Sequence, residues 1–560
     1  MDPEKNKVKE VSVDDILQIL GPFGKFNVWN YLLILFPVLL AGMYSSVYNF
    51  EAMDLRYRCA VPECQDQEAN FTAPYLADGT LAKCVRFAPF TNSTEHVAND
   101  TCSPHYFDTS TEVKCDSYIY FEEHSIVKEF NLGCQDWKRS LVGTIHNAGF
   151  FISIPLTGLI SDKYGRRLAL VFASVANGVF GVIRAFSLNY EMFIVLEFLE
   201  PALGGGVYTA CFVLALELVG PKGRVFISLL FNTMFILGGV TVTLLSWWLQ
   251  SWRYLLLIIY TPAILVFFYL WSLTESFRWL FSKGRYEEGI NVLSKCEKIN
   301  NVTVPKDHYA QVEKEAMKQR DARKREVVAT NRSTFKQLLM SPMIWKRLFT
   351  CSFLWTTSTL VYYGLSINAI ELSGNSYLNY IVVLVIEAPA NVCKLVCLDR
   401  FGRKRVIAIA YLLTGAILIN YGFIPGGNWS TAFYLGGKFF ITLAYNSLYI
   451  FAAEVFPTNY RTTLLAICST VGRIGSAVAP QTPLLSKFYE FLPTLLFGVM
   501  SAMSGFLVLT LPETNNQKLP DSLKDAQDQD RKRQTDESQR EGDFDEIKRD
   551  HRDGEKRTSL

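Results

Sequence analysis

Histidine is scarce in this chain and net charge is almost absent: there are 6 His and a formal charge of +2 over 560 residues. With so little charge, and no basic patch interleaved with aromatics, nothing draws nucleic acid, which is excluded as a partner. The chain lacks a Gly-x-x-x-x-Gly-Lys-Ser/Thr phosphate loop, which excludes an ATP-driven pump. It lacks a nucleophile–base pair and any zinc-like spacing, and His96, His105 and His124 are scattered, so no enzyme, metal or cofactor is expected. The stretch Met1 to Asp15 lacks the short apolar core and small-residue cleavage site of a signal peptide. The first apolar run is therefore read as a retained helix.

Long apolar runs are what the chain has in abundance. The hydrophobic fraction is 50% and the aromatic fraction 14%, while the 19% charged residues gather in loops and tails. Twelve runs are long enough to cross a bilayer as helices: 30–49, 141–161, 168–187, 190–215, 226–248, 254–273, 347–367, 376–397, 406–424, 431–453, 462–484 and 490–511. Backbone polar groups in lipid must be satisfied internally, and the runs are continuous rather than alternating, which selects helices over a β-barrel. Gly204–Gly206 suits close helix contact or a local break.

One charge pattern occurs twice. Asp162, Gly165, Arg166, Glu217 and Arg224 recur 237 residues later as Asp399, Gly402, Arg403, Glu454 and Arg461. Both Asp-to-Glu gaps are 55 residues and both Glu-to-Arg gaps seven. Such coincidence indicates duplication, two similar membrane halves around a central site. The expected organisation is a cytoplasmic N-terminus (1–29), a six-helix bundle (30–273), a linker loop (274–345), a second bundle (346–514) and a charged, disordered tail (515–560).

Loop charge fixes the sides. Segment 274–345 carries 14 Lys/Arg against 9 Asp/Glu, while loop 50–140 carries 8 against 15. The positive-inside rule places both termini and the linker in the cytoplasm and loop 50–140 outside, in a multi-pass protein expected at the plasma membrane. That outer loop holds Cys59, Cys64, Cys84, Cys102, Cys115 and Cys134, an even set that suggests three disulfides without choosing a pairing. It also holds glycosylation sequons at Asn70, Asn92 and Asn99, with a fourth on the same side at Asn428. The linker's mixed charges, as in Gln311 to Glu326, suit short amphipathic helices or a solvated connector. The terminal Thr558-Ser559-Leu560 has the form of a PDZ-domain ligand.

The duplicated turns carry the first candidate chemistry. Asp162, Arg166, Glu217, Arg224, Glu275 and Arg278 in one half, and Asp399, Arg403, Glu454 and Arg461 in the other, can form charge networks that lock one state and break in another. The alternative is that they only staple loops. Gly158-x-x-x-Asp162-x-x-Gly165-Arg166-Arg167 resembles the signature of the major facilitator superfamily, whose fold is twelve helices in two pseudo-symmetric six-helix bundles. Asn147-Ala-Gly-Phe-Phe151, Glu275-Ser-Phe-Arg-Trp279, Tyr362-Tyr-Gly-Leu365, Glu454-Val-Phe-Pro-Thr458 and Leu511-Pro-Glu-Thr514, together with the Cys-rich outer loop, resemble solute carrier family 22, the organic cation, anion and zwitterion transporters. The chain departs at Thr274, where that family has Pro, and at Leu395, where the second signature lacks its leading Gly.

Ionisable residues inside apolar runs are costly and mark function. Arg473 lies mid-span in the eleventh run and can hold a carboxylate bidentately; Glu387 lies in the eighth and could hold an ammonium head, neutralise Arg473 or carry a coupling proton. The resemblance places Phe150, Trp355, Tyr362, Tyr363 and Tyr449 in cavity-lining helices, where aromatic faces attract cations and pack flat groups. Tyr208 occupies a position that is Trp in the family's cation carriers, and His146 is read as satisfying a hydrogen bond in the bundle rather than titrating. The resemblance also divides at position 473: cation carriers have Asp there, anion and carnitine-type carriers Arg, as here, while Asn391 stands where anion carriers have a basic residue. The expected function is secondary-active or facilitative transport of small organic ions, of organic cation or carnitine-type zwitterion class, with possible sodium or proton coupling. An organic anion exchanger, a sugar-porter-like carrier and a transporter-shaped receptor are the alternatives.

Overall fold

The computed structural model describes residues 13–21, 24–61, 83–89, 107–219, 223–305, 307–314, 317–318, 341–372, 374–424, 427–457 and 460–514. Helices occupy all twelve apolar runs. In the first half they are α1 (Lys25–Glu51), α2 (Asp136–Tyr164), α3 (Arg166–Arg184), α4 (Tyr190–Gly204), α5 (Val207–Leu218), α6 (Arg224–Leu249) and α7 (Trp252–Leu265). In the second they are α8 (Pro342–Asn368), α9 (Ser376–Val385), α10 (Glu387–Phe401), α11 (Arg403–Asn420), α12 (Asn428–Val455), α13 (Arg461–Val478) and α14 (Leu492–Val508). Helices α4 and α5 share one run, interrupted at Gly205 and Gly206, and α9 and α10 share another, interrupted at Ile386.

Among the described residues, 8 helical stretches are long and apolar enough by themselves to cross a membrane. Helices α2, α8 and α12 fall outside that set although they run 29, 27 and 28 residues. Each carries polar groups into the interior: His146, Asn147, Ser153 and Thr157 in α2, Arg347, Thr357 and Ser358 in α8, and Lys438 and Thr442 in α12. A helix that buries such groups in protein need not be uniformly apolar.

By contacts the chain forms two units. One takes residues 1–320 with 374–384 and 480–487, and the other takes 321–373, 385–479 and 488–560. In the first, α1 lies against α6 so closely that a Cβ added at Gly42 would strike the Phe235 carbonyl, and one at Gly238 the Leu39 carbonyl. Without a hydrophobic drive between helices in lipid, such small-residue contacts let backbones pack at van der Waals range. On the cytoplasmic side expected from loop charge, Asn300 ties a linker helix (Tyr286–Asn300) to the start of the chain. Its Oδ1 accepts from the Phe26 N–H at 2.9 Å and its Nδ2 donates to the Leu20 carbonyl at 3.0 Å. Phe277, Phe281, Leu293 and Cys296 share one buried cluster with Ile16, Leu17 and Leu20.

The described residues of the loop after α1 include two antiparallel strand pairs, β1 (Tyr57–Cys59) with β4 (Tyr118–Tyr120) and β2 (Val85–Pro89) with β3 (Phe107–Lys114). Among the described residues it is clamped by two disulfides, Cys59–Cys115 and Cys84–Cys134. Cys211, Cys296, Cys351, Cys393, Cys397 and Cys468 are free thiols. Cys64, Cys102, Asn70, Asn92, Asn99 and Thr558-Ser559-Leu560 lie outside the described residues; Asn428 is the first residue of α12.

In the second unit α11 packs on α14 through Gly415, Gly498 and Gly505, and α8 on α13 through Gly475, whose added Cβ would meet the Thr356 carbonyl. Where a glycine is a contact point, any side chain must separate two helices, at about 1–3 kcal/mol for an overpacked site. Gly42→Ala is expected to lower the melting temperature of the purified protein, whereas Gly158→Ala, with nothing within 4 Å of its added Cβ, leaves it unchanged. Differential scanning fluorimetry of the two variants checks this.

Candidate functional site

The duplicated turns are built alike. Gly165 ends α2 at φ +116° and Gly402 ends α10 at φ +90°, conformations that only glycine adopts without strain. Each turn starts a new helix whose first N–H groups have no partner within that helix. A carboxylate from far along the chain fills the gap in both cases. Glu275 accepts from the Arg166 N–H at 3.0 Å and the Arg167 N–H at 3.2 Å, and Glu513 from the Arg403 N–H at 3.0 Å and the Lys404 N–H at 3.3 Å. A negative charge at a helix N-terminus also gains from the helix dipole. Burial pushes the Glu275 carboxyl above its ordinary value, and the N–H groups of Ser276, Arg167 and Arg166 pull it back.

The arginine after each glycine gathers the remaining charges. Arg166 reaches Asp162 at 2.7 Å and Glu217 at 3.1 Å, and Arg403 reaches Asp399 at 3.4 Å and Glu454 at 3.4 Å. Arg278 donates to the Glu217 carbonyl at 3.1 Å, and Thr514 to the Glu454 carboxylate at 2.5 Å. The pairs Glu217–Arg224 and Glu454–Arg461 do not form here. Glu217 and Glu454 turn to Arg166 and Arg403 instead, while Arg224 is exposed at the start of α6 and the Nε and Nη2 of Arg461 have no hydrogen-bond partner among the described residues.

The candidate binding residues of the second unit fall in one neighbourhood. Arg473 of α13 is half-buried and hydrogen-bonds the Tyr363 hydroxyl, with Tyr445 and Tyr449 beside it. Those rings continue as a chain of contacts: Tyr449 edge-on to Trp355 at 5.2 Å, Tyr445 to Tyr449 at 5.5 Å, Tyr362 to Tyr445 at 5.4 Å and Tyr362 to Tyr363 at 5.2 Å. Trp355 is 1% exposed and Tyr449 44%, so the first is packing for the second. Asn391 accepts from Asn446 at 2.8 Å.

Glu387 is already paired. Its Oε1 lies 2.9 Å from Nζ of Lys438 in α12, a residue absent from the candidates of sequence reasoning. Lys438 is wholly buried, donates to Ser366 Oγ at 2.7 Å and the Tyr362 carbonyl at 3.1 Å, and sits 3.4 Å from the centre of the Tyr362 ring. Such an ammonium, hydrogen-bonded and over an aromatic face, is fully compensated.

In the first unit Phe150 meets His146 edge-on at 5.7 Å, and Tyr208 lies among Phe212, Phe231 and Phe235 at 6.2, 6.0 and 5.4 Å. His146 makes the hydrogen bond expected of it, Nδ1 to Glu197 at 2.8 Å. Glu197 belongs to a buried group with Glu51, Arg184 and Glu200 that sequence reasoning passed over, although the ionisable residues inside apolar runs were signal enough to find most of it.

The two capping carboxylates make a paired test. Glu275→Ala and Glu513→Ala each orphan helix N–H groups and are expected to cost about 1–3 kcal/mol, the scale of a hydrogen bond to a charged group. Glutamine at either place, which keeps an acceptor, should recover part of the loss in a thermal-denaturation series.

Comparison with known proteins agrees with this architecture. Residues 80–522 match the family model described as sugar (and other) transporter. The chain is 30% identical over 546 residues to an organic cation transporter protein of Drosophila melanogaster, covering 95% of this chain and 98% of that one. It is 27% identical to solute carrier family 22 member 6-B of Xenopus laevis (93% and 96% covered) and 28% identical to solute carrier family 22 member 1 of Bos taurus (93% and 94% covered). Among solved structures, the inward-open xylose transporter XylE from E. coli superposes with a TM-score of 0.59 at 17% identity, covering 88% of this chain and 98% of that one, a likeness of fold. With twelve helical spans, duplicated charged turns and these relatives, the chain is a membrane transporter rather than an enzyme, and it belongs to the sugar (and other) transporter family of the major facilitator superfamily, among the organic cation transporter-like members of solute carrier family 22.

Proposed function

We propose that this protein carries small organic ions bearing a carboxylate, of the carnitine-type zwitterion class, across the plasma membrane by alternating access, with both termini in the cytoplasm. The observation that carries this reading is the placement of the Arg473 guanidinium among tyrosines. Lys438 holds Glu387 at 2.9 Å, and the guanidinium of Arg473 is set among phenol hydroxyls, bonded to that of Tyr363 with Tyr445 and Tyr449 beside it. At an effective dielectric constant near 20, a carboxylate about 4 Å from that guanidinium gains about 4 kcal/mol, against about 1 kcal/mol in water. A quaternary ammonium on a tyrosine face gains only about 0.5–2 kcal/mol and is repelled by the same guanidinium. The carboxylate term wins, and a simple cation is the poorer substrate. A zwitterion satisfies both features by placing its ammonium over the exposed ring of Tyr449.

The names of the relatives, organic cation transporter and solute carrier family 22, support organic ions as the substrate class. The second reading, an organic anion exchanger, is favoured by the compensation of Glu387, which removes the negative charge that would select for an ammonium group. The duplicated networks at Arg166 and Arg403 are the elements whose breaking would let the halves exchange states. Sodium or proton coupling and a PDZ-domain partner at the terminal tripeptide belong to the same proposal.

Radiolabelled uptake in cells expressing the chain, comparing carnitine, tetraethylammonium and para-aminohippurate with and without sodium, tests it. Carnitine uptake is expected to lead, and Arg473→Ala to reduce it about 10- to 100-fold at unchanged surface expression, the scale of a lost charge-assisted pair. Uptake of tetraethylammonium alone would overturn the reading; uptake of para-aminohippurate alone would select the anion exchanger. Lys438→Gln uncovers the Glu387 carboxylate and is expected to shift preference toward tetraethylammonium in the same assay.

A further inference from the structure

A second charged cluster, sealed inside the first unit, is not used by the binding site above. Glu51 ends α1, His146 lies in α2, Arg184 ends α3, and Glu197 and Glu200 stand nearly one turn apart in α4. All five are 0–1% exposed. Arg184 pairs directly with Glu197, lies 3.5 Å from both Glu51 and Glu200, and donates to the Tyr260 hydroxyl of α7 at 3.2 Å. His146 Nδ1 is 2.8 Å from Glu197 and 3.7 Å from Glu200. Tyr44 of α1 stacks on Tyr260 at 4.5 Å, and Tyr48 lies 5.1 Å from the His146 ring. These are the charged and phenolic groups that face the cluster from α1, α2, α3, α4 and α7.

The charges do not cancel. Three carboxylates meet one guanidinium, and even an imidazolium at His146 leaves one negative charge over. Each ion withdrawn from water without compensation costs several kcal/mol, so a site this enclosed must take up a further positive charge. A metal ion is disfavoured: among the described residues no group of His, Cys, Asp and Glu is arranged to hold one, and the carboxylates already converge on Arg184. Glu51 identifies the missing charge. Neither of its buried oxygens has a hydrogen-bond donor among the described residues, and its carboxyl lies within hydrogen-bonding reach of the Glu197 carboxyl. Two carboxyl groups bond to one another only when one of them carries a proton.

We propose that this cluster is a proton-binding site, its proton shared between Glu51 and Glu197, and that this proton is the coupling ion of the transport cycle. The coupling half rests on the transport reading above; the proton site does not. Release breaks the carboxyl O–H bond, leaves the electron pair on the carboxylate and passes the proton to water when the cluster opens. Binding reverses the step, and nothing is oxidised or reduced.

Infrared difference spectroscopy on the full-length protein in lipid vesicles reads the site without any substrate. The wild type is expected to show a protonated-carboxyl carbonyl band that bleaches as pH rises and shifts in deuterated water. Glu51→Gln, a neutral isostere of the protonated acid, is expected to remove that band, and Glu51→Asp to retain a displaced one. A Glu51→Gln spectrum identical to wild type would overturn the proton site. In the same vesicles, labelled carnitine is expected to accumulate under an imposed pH gradient, whereas Glu51→Gln keeps tracer counterflow and loses accumulation. Counterflow in the wild type with no response to pH, or with a response to sodium alone, overturns proton coupling and leaves the carrier reading standing. A titrating band without counterflow of carnitine, tetraethylammonium or para-aminohippurate keeps the proton site and sinks the transport reading.

Discussion

An ionised or hydrogen-bonding group removed from water must meet its complement inside the protein, and this requirement arranges both units. At the duplicated turns it recruits Glu275 and Glu513 to the open N–H groups of two helices. In the second unit it draws Lys438 onto Glu387. In the first it gathers three carboxylates on one guanidinium. Hydrophobic burial gives little direction to helices already surrounded by lipid. The polar pairings and the small-residue contacts decide which helix lies against which.

The two halves share the turn geometry but differ in their deeper charges. In the second unit Lys438 and Glu387 pair beside Tyr362, and the Arg473 guanidinium lies among Tyr363, Tyr445 and the exposed Tyr449. The buried charges of the first unit are closed off, with a deficit of positive charge.

The existence and order of the helices were readable, though not their ends or the break at Ile386, because an apolar run of bilayer length has few alternatives once backbone satisfaction is required. The duplication was readable from Asp162 and its repeat. The pairings were not. Glu217 is seven residues from Arg224 yet pairs with Arg166, 51 positions away, because a helix end and a turn converge only in three dimensions. Lys438 carries the same signal as Arg473 and Glu387, an ionisable group in an apolar run, but nothing local marks its partner. Arg184 and Glu51 stand at the ends of their helices, where a sequence does not distinguish a side chain reaching for the interface from one turned inward. Six outer-loop cysteines left 15 pairings open, of which the structure narrows the field with Cys59–Cys115 and Cys84–Cys134.

The capping carboxylates also bear on how the chain is made. Every partner in the first network, from Asp162 through Glu217 to Arg278, is synthesised before the second half begins. The cap arrives just after the sixth span, so the turn at Gly165 can be locked while the ribosome is still producing the linker. The second network waits for Glu513, almost the last described residue of the chain. A nascent chain halted anywhere before that point holds one finished turn and one with its helix N–H groups still open, and quality control has a physical difference to detect.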